Sequence, residues 1–315
     1  MIGLPPKPAI LWLATALVIG CSYELSAQDD PTVVLRPGQN IEAMVAHSPE
    51  DTRFVFEPGV YRGFTISPKN GQRFIGQDGA ILSGAITLTA WEWDGRTWRS
   101  EPLPAPLTSY GECAGGGDLC KFREDLFVNG HLYRRVGDLE ELAPQKWYYE
   151  DHRAYLVDDP AGQFVEMSVA PRAFGGTAEN VVLENLIIER YATNAQEGAI
   201  YIHDARGWQI INVVARWNHG AGLTFGPETS VKGGSFSHIG QIGILGIGEG
   251  TTIEGVEIAF NNYAGYDSFW EAGGTKFWRN RNLVVRSSCV HHISGRGCGR
   301  ISIMLMYCMK ATKCF

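Results

Sequence analysis

From residue 180 onward the chain is a series of short apolar runs punctuated by glycine and asparagine. Five segments align: VVLENLIIERY, WQIINVVARWN, SVKGGSFSHIG, TIEGVEIAFNN and LVVRSSCVHHI. In one register a small or polar residue falls at Asn185, Asn212, Gly233, Gly255 and Ser287, with Ile188, Ala215, Phe236, Ile258 and Val290 three places on. Each unit closes on glycine and an apolar residue: Gly198-Ala199-Ile200, Gly222-Leu223, Gly243-Ile244 and Gly265-Tyr266, with Gly297 ending the fifth. Gly222, Gly243 and Gly265 lie 21 and 22 residues apart, and loops before Gly198 and across 267–281 lengthen other units. Helical solenoids need about 33 residues or more per repeat. The shorter unit fits about three strands and three turns, one coil of a parallel β-helix. Alternate strand residues face opposite sides, while Gly and Asn suit the turns because they tolerate left-handed backbone. An antiparallel sandwich would not require this in-register repeat. Asn218 and Asn261 would begin an internal asparagine ladder, broken by Ile239 and Ile293.

The N-terminal part fits the same plan. The amphipathic segment IEAMVA is expected to form a short helix capping the first coil, because a bare terminal rung exposes its edge and core. FVFEPGVYRGFTI and QRFIGQDGAILSGAITL follow as strands with Pro-Gly and Asp-Gly turns. These rungs and the glycine-closed coils together resemble the pectin-lyase-like superfamily. The resemblance implies an all-β fold: a right-handed parallel β-helix solenoid with a short N-terminal capping helix and a small β-rich insertion. It is weak for activity, since that fold hosts lyases, hydrolases, epimerases and adhesins. The expected organisation is an export signal over 1–27, cap and first coils over 31–90, the insertion over 91–171, coils over 172–297, and an aberrant tail over 298–315. The insertion contains three hairpin patterns, WEWDGRTWRSE, EDLFVNGHLYRRV and WYYEDHRAYLV.

Composition sharpens this reading. The 38 glycines supply turns, and a net charge of −7 argues against a nucleic-acid partner. Hydrophobic residues make up 44% of the chain, enough for a core, so it is not disordered. At the N-terminus, Lys7 precedes a 12-residue apolar run from Ala9 to Gly20, too short to span a bilayer. Val18-Ile19-Gly20-Cys21 makes Cys21 a lipidation candidate, whereas cleavage after Ala27 would release a soluble protein. Membrane contact is expected only through such an anchor, with secreted, periplasmic and lipid-anchored destinations all open and the protein a monomer. Outside the cytoplasm Cys113 and Cys120 are expected to form a disulfide, and Cys289 to be a buried thiol. The tail CGRISIMLMYCMKATKCF breaks the pattern. Reading possible codons one nucleotide back gives LWTDINNVNVLYEGNKVF, which restores it, so a frameshift near Gly297 is expected. The nucleotide sequence tests this.

The chemistry is less legible. No Asn-x-Asp, Asp-Asp and Gly-His-Gly set of the galacturonan hydrolases falls in successive coils, and the Asp-Pro-His of alginate epimerases is absent. Asp158-Asp159 reads as a solvated turn, His219 as a turn residue, and His291 and His292 as pointing to opposite strand faces. The weak catalytic candidates are His203, Asp204, Asp267, Glu271 and Lys276, with Arg279 from the same long loop as the last three; together they would line a polysaccharide groove. Trp91, Trp93, Trp98, Trp147 and Trp270 are candidates for stacking on sugar rings. No metal site is discernible; calcium, used by lyases of this fold, is the one cofactor the resemblance raises. The expectation is an exported protein that acts on or binds polysaccharide as a lyase or glycosidase would. The alternative is a non-catalytic surface protein that binds glycans or partners, possibly a truncated fragment.

Overall fold

The computed structural model describes Gly3, residues 30–293 and residues 296–298. The signal apart from Gly3, with Cys21, and all the tail after Cys298 lie outside the described residues. Three parallel sheets wind about one axis, with eight, seven and six strands. A fourth sheet of eight strands, mainly antiparallel, is the insertion. The helix Ile41–His47 buries Ile41 and Val45 in the core of the first coils, and Asn40 Oδ1 accepts the Ala43 N–H at 2.9 Å as its N-cap.

Parallel pairing stacks like on like. In the first sheet Phe54, Phe74, Leu183, Ile210, Val231, Ile253 and Val285 share one inward column. In the second, Leu82, Ile188, Ala215, Phe236, Ile258 and Val290 do so, as the register of the aligned segments predicts. Burying each large apolar side chain contributes about 1.5–3 kcal/mol. The third sheet runs Ile200, Leu223, Ile244 and then Thr275, where the column turns polar.

The turns behave in two ways. Between first and second sheets, Asn185, Asn212, Gly233, Gly255 and Ser287 all have positive φ, from 50° to 67°. At the end of the second sheet, Arg190, Trp217, His238, Phe260 and His292 are also left-handed, a conformation costly for bulky residues. The rings among them meet from coil to coil: Trp217 lies tilted against His238 at 4.6 Å, and His238–Phe260 at 5.0 Å and Phe260–His292 at 4.8 Å are stacked. Such stacking offsets the strain. Buried Asn218 and Asn261 seal this corner on alternate coils. Asn261 accepts the Ile239 N–H and donates to the Phe236 carbonyl; Asn218 does the same for Tyr191 and Ile188. Asn261→Ala leaves the buried Ile239 N–H without this acceptor, and is expected to cost about 1–3 kcal/mol in denaturant unfolding.

The structure corrects several expectations. The fourth closing strand is Gly273–Phe277, with Gly274 in line with Gly243; Gly265 sits in a loop with φ +80°. The inserted loop therefore precedes this strand. Cys289 is half-buried, because it pairs with Glu257 in an outward column. His292 breaks the alternation through its positive φ, so His291 Nδ1 and His292 Nδ1 lie 2.7 Å apart.

The insertion continues from the second-sheet strand Ala80–Ser83 into Ala85–Leu88, and its last strand, Val165–Ser168, leads back to Phe174–Gly175 in the third sheet. Its three expected hairpins are present. Trp147, Leu126 and Met167 are buried in its own core. Glu166, fully buried on the last strand, pairs with both Arg62 and Arg190 of the second sheet. Burial of an acid is tolerable here because two guanidinium groups satisfy it.

Candidate functional site

The loop between Asn261 and Gly273 is held by the insertion. Cys113 and Cys120 form a disulfide, and the hairpin it closes pairs with the loop through a Cys113–Tyr266 bridge. The Ala114 N–H donates to Gly265 O and the Asp267 N–H to Glu112 O, both at 2.8 Å. Gly111, at φ +122°, lies against the Trp270 ring, where an added Cβ would come within 2.5 Å of it. Tyr110 meets Trp270 edge-on and Tyr266 stacks behind it.

Beneath the hairpin is a polar lock that the sequence did not reveal. His219, read as a turn residue, is fully buried; its Nδ1 lies 3.1 Å from Asp125 Oδ2 and its Nε2 2.9 Å from Cys120 O. Both partners are acceptors, so both ring nitrogens carry protons when Asp125 is ionised. Burial disfavours this imidazolium, but the Asp125 carboxylate, the Cys120 carbonyl and the nearby Glu124 together outweigh it and raise the His219 pKa. The Tyr263 hydroxyl also donates to Asp125 Oδ2, at 2.6 Å. The signal available in sequence was only a histidine beside Asn218, one of the buried corner asparagines.

This support brings together Trp270, Glu271 and Lys276. They line a cavity of about 240 Å³ with Phe269, Thr275 and Trp278. Lys276 pairs with Glu271 and sits 5.0 Å from the centre of the Trp278 ring; burial lowers its pKa. Among the described residues, Glu271 Oε2 and Thr275 Oγ1 are buried without a hydrogen-bond partner. Such atoms are costly in isolation, and the carboxylate oxygen of Glu271 suits a hydroxyl-bearing ligand. Gln241 ties the floor together, accepting the Gln196 N–H and donating to Glu271 O.

The other candidates lie elsewhere. Asp267 uses its carboxylate to cap its own loop, accepting from the N–H groups of Phe269 and Trp270. His203 and Asp204 follow Tyr201, which is three strands from Lys276 in the third-sheet register, about 14 Å along the axis. Between them Thr224 and Leu245 are buried, so no open groove joins the expected set. Glu197 follows Gln196 in a loop that meets the Glu271 loop: Ala195 packs with Ala272, and Gln241 bridges the Gln196 N–H and Glu271 O. Arg279 has a positive φ in the turn after Gly273–Phe277. Trp147 is fully buried and offers no face to a sugar; a cation–π contact with Arg135 at 4.9 Å holds it. Trp91 and Trp98 are half-buried and Trp93 is 51% exposed. Among the described residues there is no cluster of three or more His, Cys, Asp or Glu that could hold a metal ion. No described helix is long and apolar enough to cross a membrane.

The fold defines the chain as a right-handed parallel β-helix. No family model and no curated protein matches it. Among solved structures, one described as the complex structure of XylC with xylose has a TM-score of 0.68 at 15% identity, over 85% of this chain. The chain spans 58% of that protein. A second, described as a glycoside hydrolase, has a TM-score of 0.50 at 9% identity, over 82% of this chain and 79% of its own. At these identities the likeness is one of fold.

Proposed function

We propose that this is an exported polysaccharide-binding protein whose Trp270–Glu271–Lys276 pocket engages an acidic or decorated glycan chain. The carrying observation is the unpartnered buried Glu271 Oε2 beside aromatic rings and a paired cation. Aromatic faces take the C–H side of a sugar while the polar atoms orient its hydroxyls. The solved structures of similar fold, one with xylose and one a glycoside hydrolase, support a carbohydrate ligand. The disulfide supports an oxidising compartment; mass spectrometry of the mature N-terminus checks export and distinguishes Cys21 lipidation from cleavage after Ala27.

A second reading adds chain cleavage. For elimination, a lysine of lowered pKa is a fitting proton acceptor. Calorimetric titration against a polysaccharide panel is expected to show binding that Glu271→Gln and Lys276→Met each weaken by about tenfold, or 1.4 kcal/mol. Absence of binding to every member of the panel defeats the proposal. Chain-length analysis of the same mixtures, with and without chelator, decides whether turnover accompanies binding.

A further inference from the structure

We infer that the insertion carries a second glycan site, for an uncharged oligosaccharide, separate from the pocket at Glu271. Its chemical class rests on the polysaccharide reading above; its location does not. Two cavities of about 530 and 390 Å³ open on the insertion, and both linings include Pro160 and Gln163. The segment 160–163 is therefore a saddle between them. Each cavity falls within the roughly 300–1,000 Å³ of small-ligand sites.

The two sides differ in chemistry. The larger cavity has an apolar floor of Val128, Leu156 and Val165, all part of the insertion's core. Its rim carries Asn129, Gln145, Asp158, Asp159 and Gln163. Several of these groups are fixed before any ligand arrives. Asp158 Oδ2 accepts the Gln145 N–H at 2.7 Å and Asp159 Oδ1 the Ala161 N–H at 2.9 Å. Asn129 bonds the Gln163 side chain and accepts the Phe164 N–H. The expected solvated turn at Asp158-Asp159 is thus part of a cavity wall. The smaller cavity presents Trp91, Trp98 and the 45% exposed Phe164. Trp93 braces Trp98 at 5.3 Å.

A polar pocket joined across a saddle to an aromatic one matches a ligand that is amphipathic and longer than one ring. Sugar C–H faces stack on Trp91 and Trp98, while neighbouring hydroxyls donate to Asp158, Asp159 and the amide oxygens. Neither lining contains lysine or arginine. Arg62 lies over Phe164 at 5.5 Å but is outside both linings and pairs with Glu166. Two carboxylates without a lining cation repel a uronate, which selects for neutral sugars and separates this site from the lysine-bearing pocket.

The test is hydroxyl-radical footprinting of the full chain with neutral xylo-, gluco- and manno-oligosaccharides, with oligogalacturonate as the charged comparison. Protection of Trp91, Trp98 and Phe164 by a neutral oligosaccharide, and not by the uronate, is expected. Asp159→Asn combined with Gln163→Ala, both at exposed positions, is expected to weaken that binding at least fivefold without altering the unfolding transition. Protection confined to Trp270 and Trp278 overturns this inference and leaves the proposed function standing. Protection only by the uronate on the insertion overturns the neutral class. No protection by any saccharide overturns both readings.

Discussion

His219→Leu is expected to lower the free energy of unfolding by about 3–5 kcal/mol, because it strands the Asp125 carboxylate at a buried junction. Asp125 would keep only the Tyr263 hydroxyl of its two side-chain partners. Tyr263→Phe removes that lesser partner and should cost about 1–3 kcal/mol. A double replacement by leucine at both His219 and Asp125 should recover part of the loss, since no charge is then left unpaired. Urea unfolding measures all three; equal costs for His219→Leu and Tyr263→Phe would contradict an ion pair. The pair also sets a pH dependence. The folded-state pKa of His219 is raised above 6.5, because Asp125, with the Cys120 carbonyl and Glu124, overrides burial. A raised histidine contributes stability fully below its unfolded value and loses it as pH rises through the folded one. Thermal unfolding should therefore show stability falling from about pH 6.5 upward, a slope that the double variant lacks. Because Cys120 O accepts from the same ring, hydrogen exchange should rise first in 113–120 and 262–272.

Phe236→Ala is expected to cost about 3–5 kcal/mol. Phe236 is fully buried in the second-sheet column between Ala215 and Ile258. A Cβ added at Gly222 would come within 2.9 Å of its ring, so this phenylalanine fills the space that Gly222 leaves in the third sheet. Each coil contacts only its neighbours, so the cavity should weaken adjacent rungs before distant ones. Gly222→Val should destabilise by overpacking the same contact. Equilibrium unfolding of Phe236→Ala within about 1 kcal/mol of wild type would mean that the column relaxes to refill the space.

The coils were legible because parallel stacking imposes a local rule. One turn residue and one inward residue recur per strand, so Asn185 with Ile188 and Asn212 with Ala215 reveal the register on inspection. The rule fails where packing overrides preference. Trp217, His238 and Phe260 adopt left-handed backbone, which propensity assigns to Gly or Asn; ring stacking between coils holds them there. Gly265 mimicked the repeat by spacing alone, while Gly273–Phe277 takes the strand position because it completes the third-sheet ladder.

The candidate site divides the same way. Trp270, Glu271 and Lys276 are close in sequence, and a short loop followed by a strand brings them together. Asp204 and Trp147 carry chemistry-bearing side chains, yet one lies about three rungs from Lys276 and the other is sealed in the insertion's core. By itself the sequence determined the coil plan, the capping helix, the three hairpins and the Cys113–Cys120 bridge, because each depends on residues near one another in the chain or on a repeated spacing. Only the tertiary structure decided how the insertion docks, that His219 meets Asp125 across 94 residues, and which polar groups face a cavity. Those contacts join segments with no common period, and their energies come from desolvation and geometry that no local pattern records.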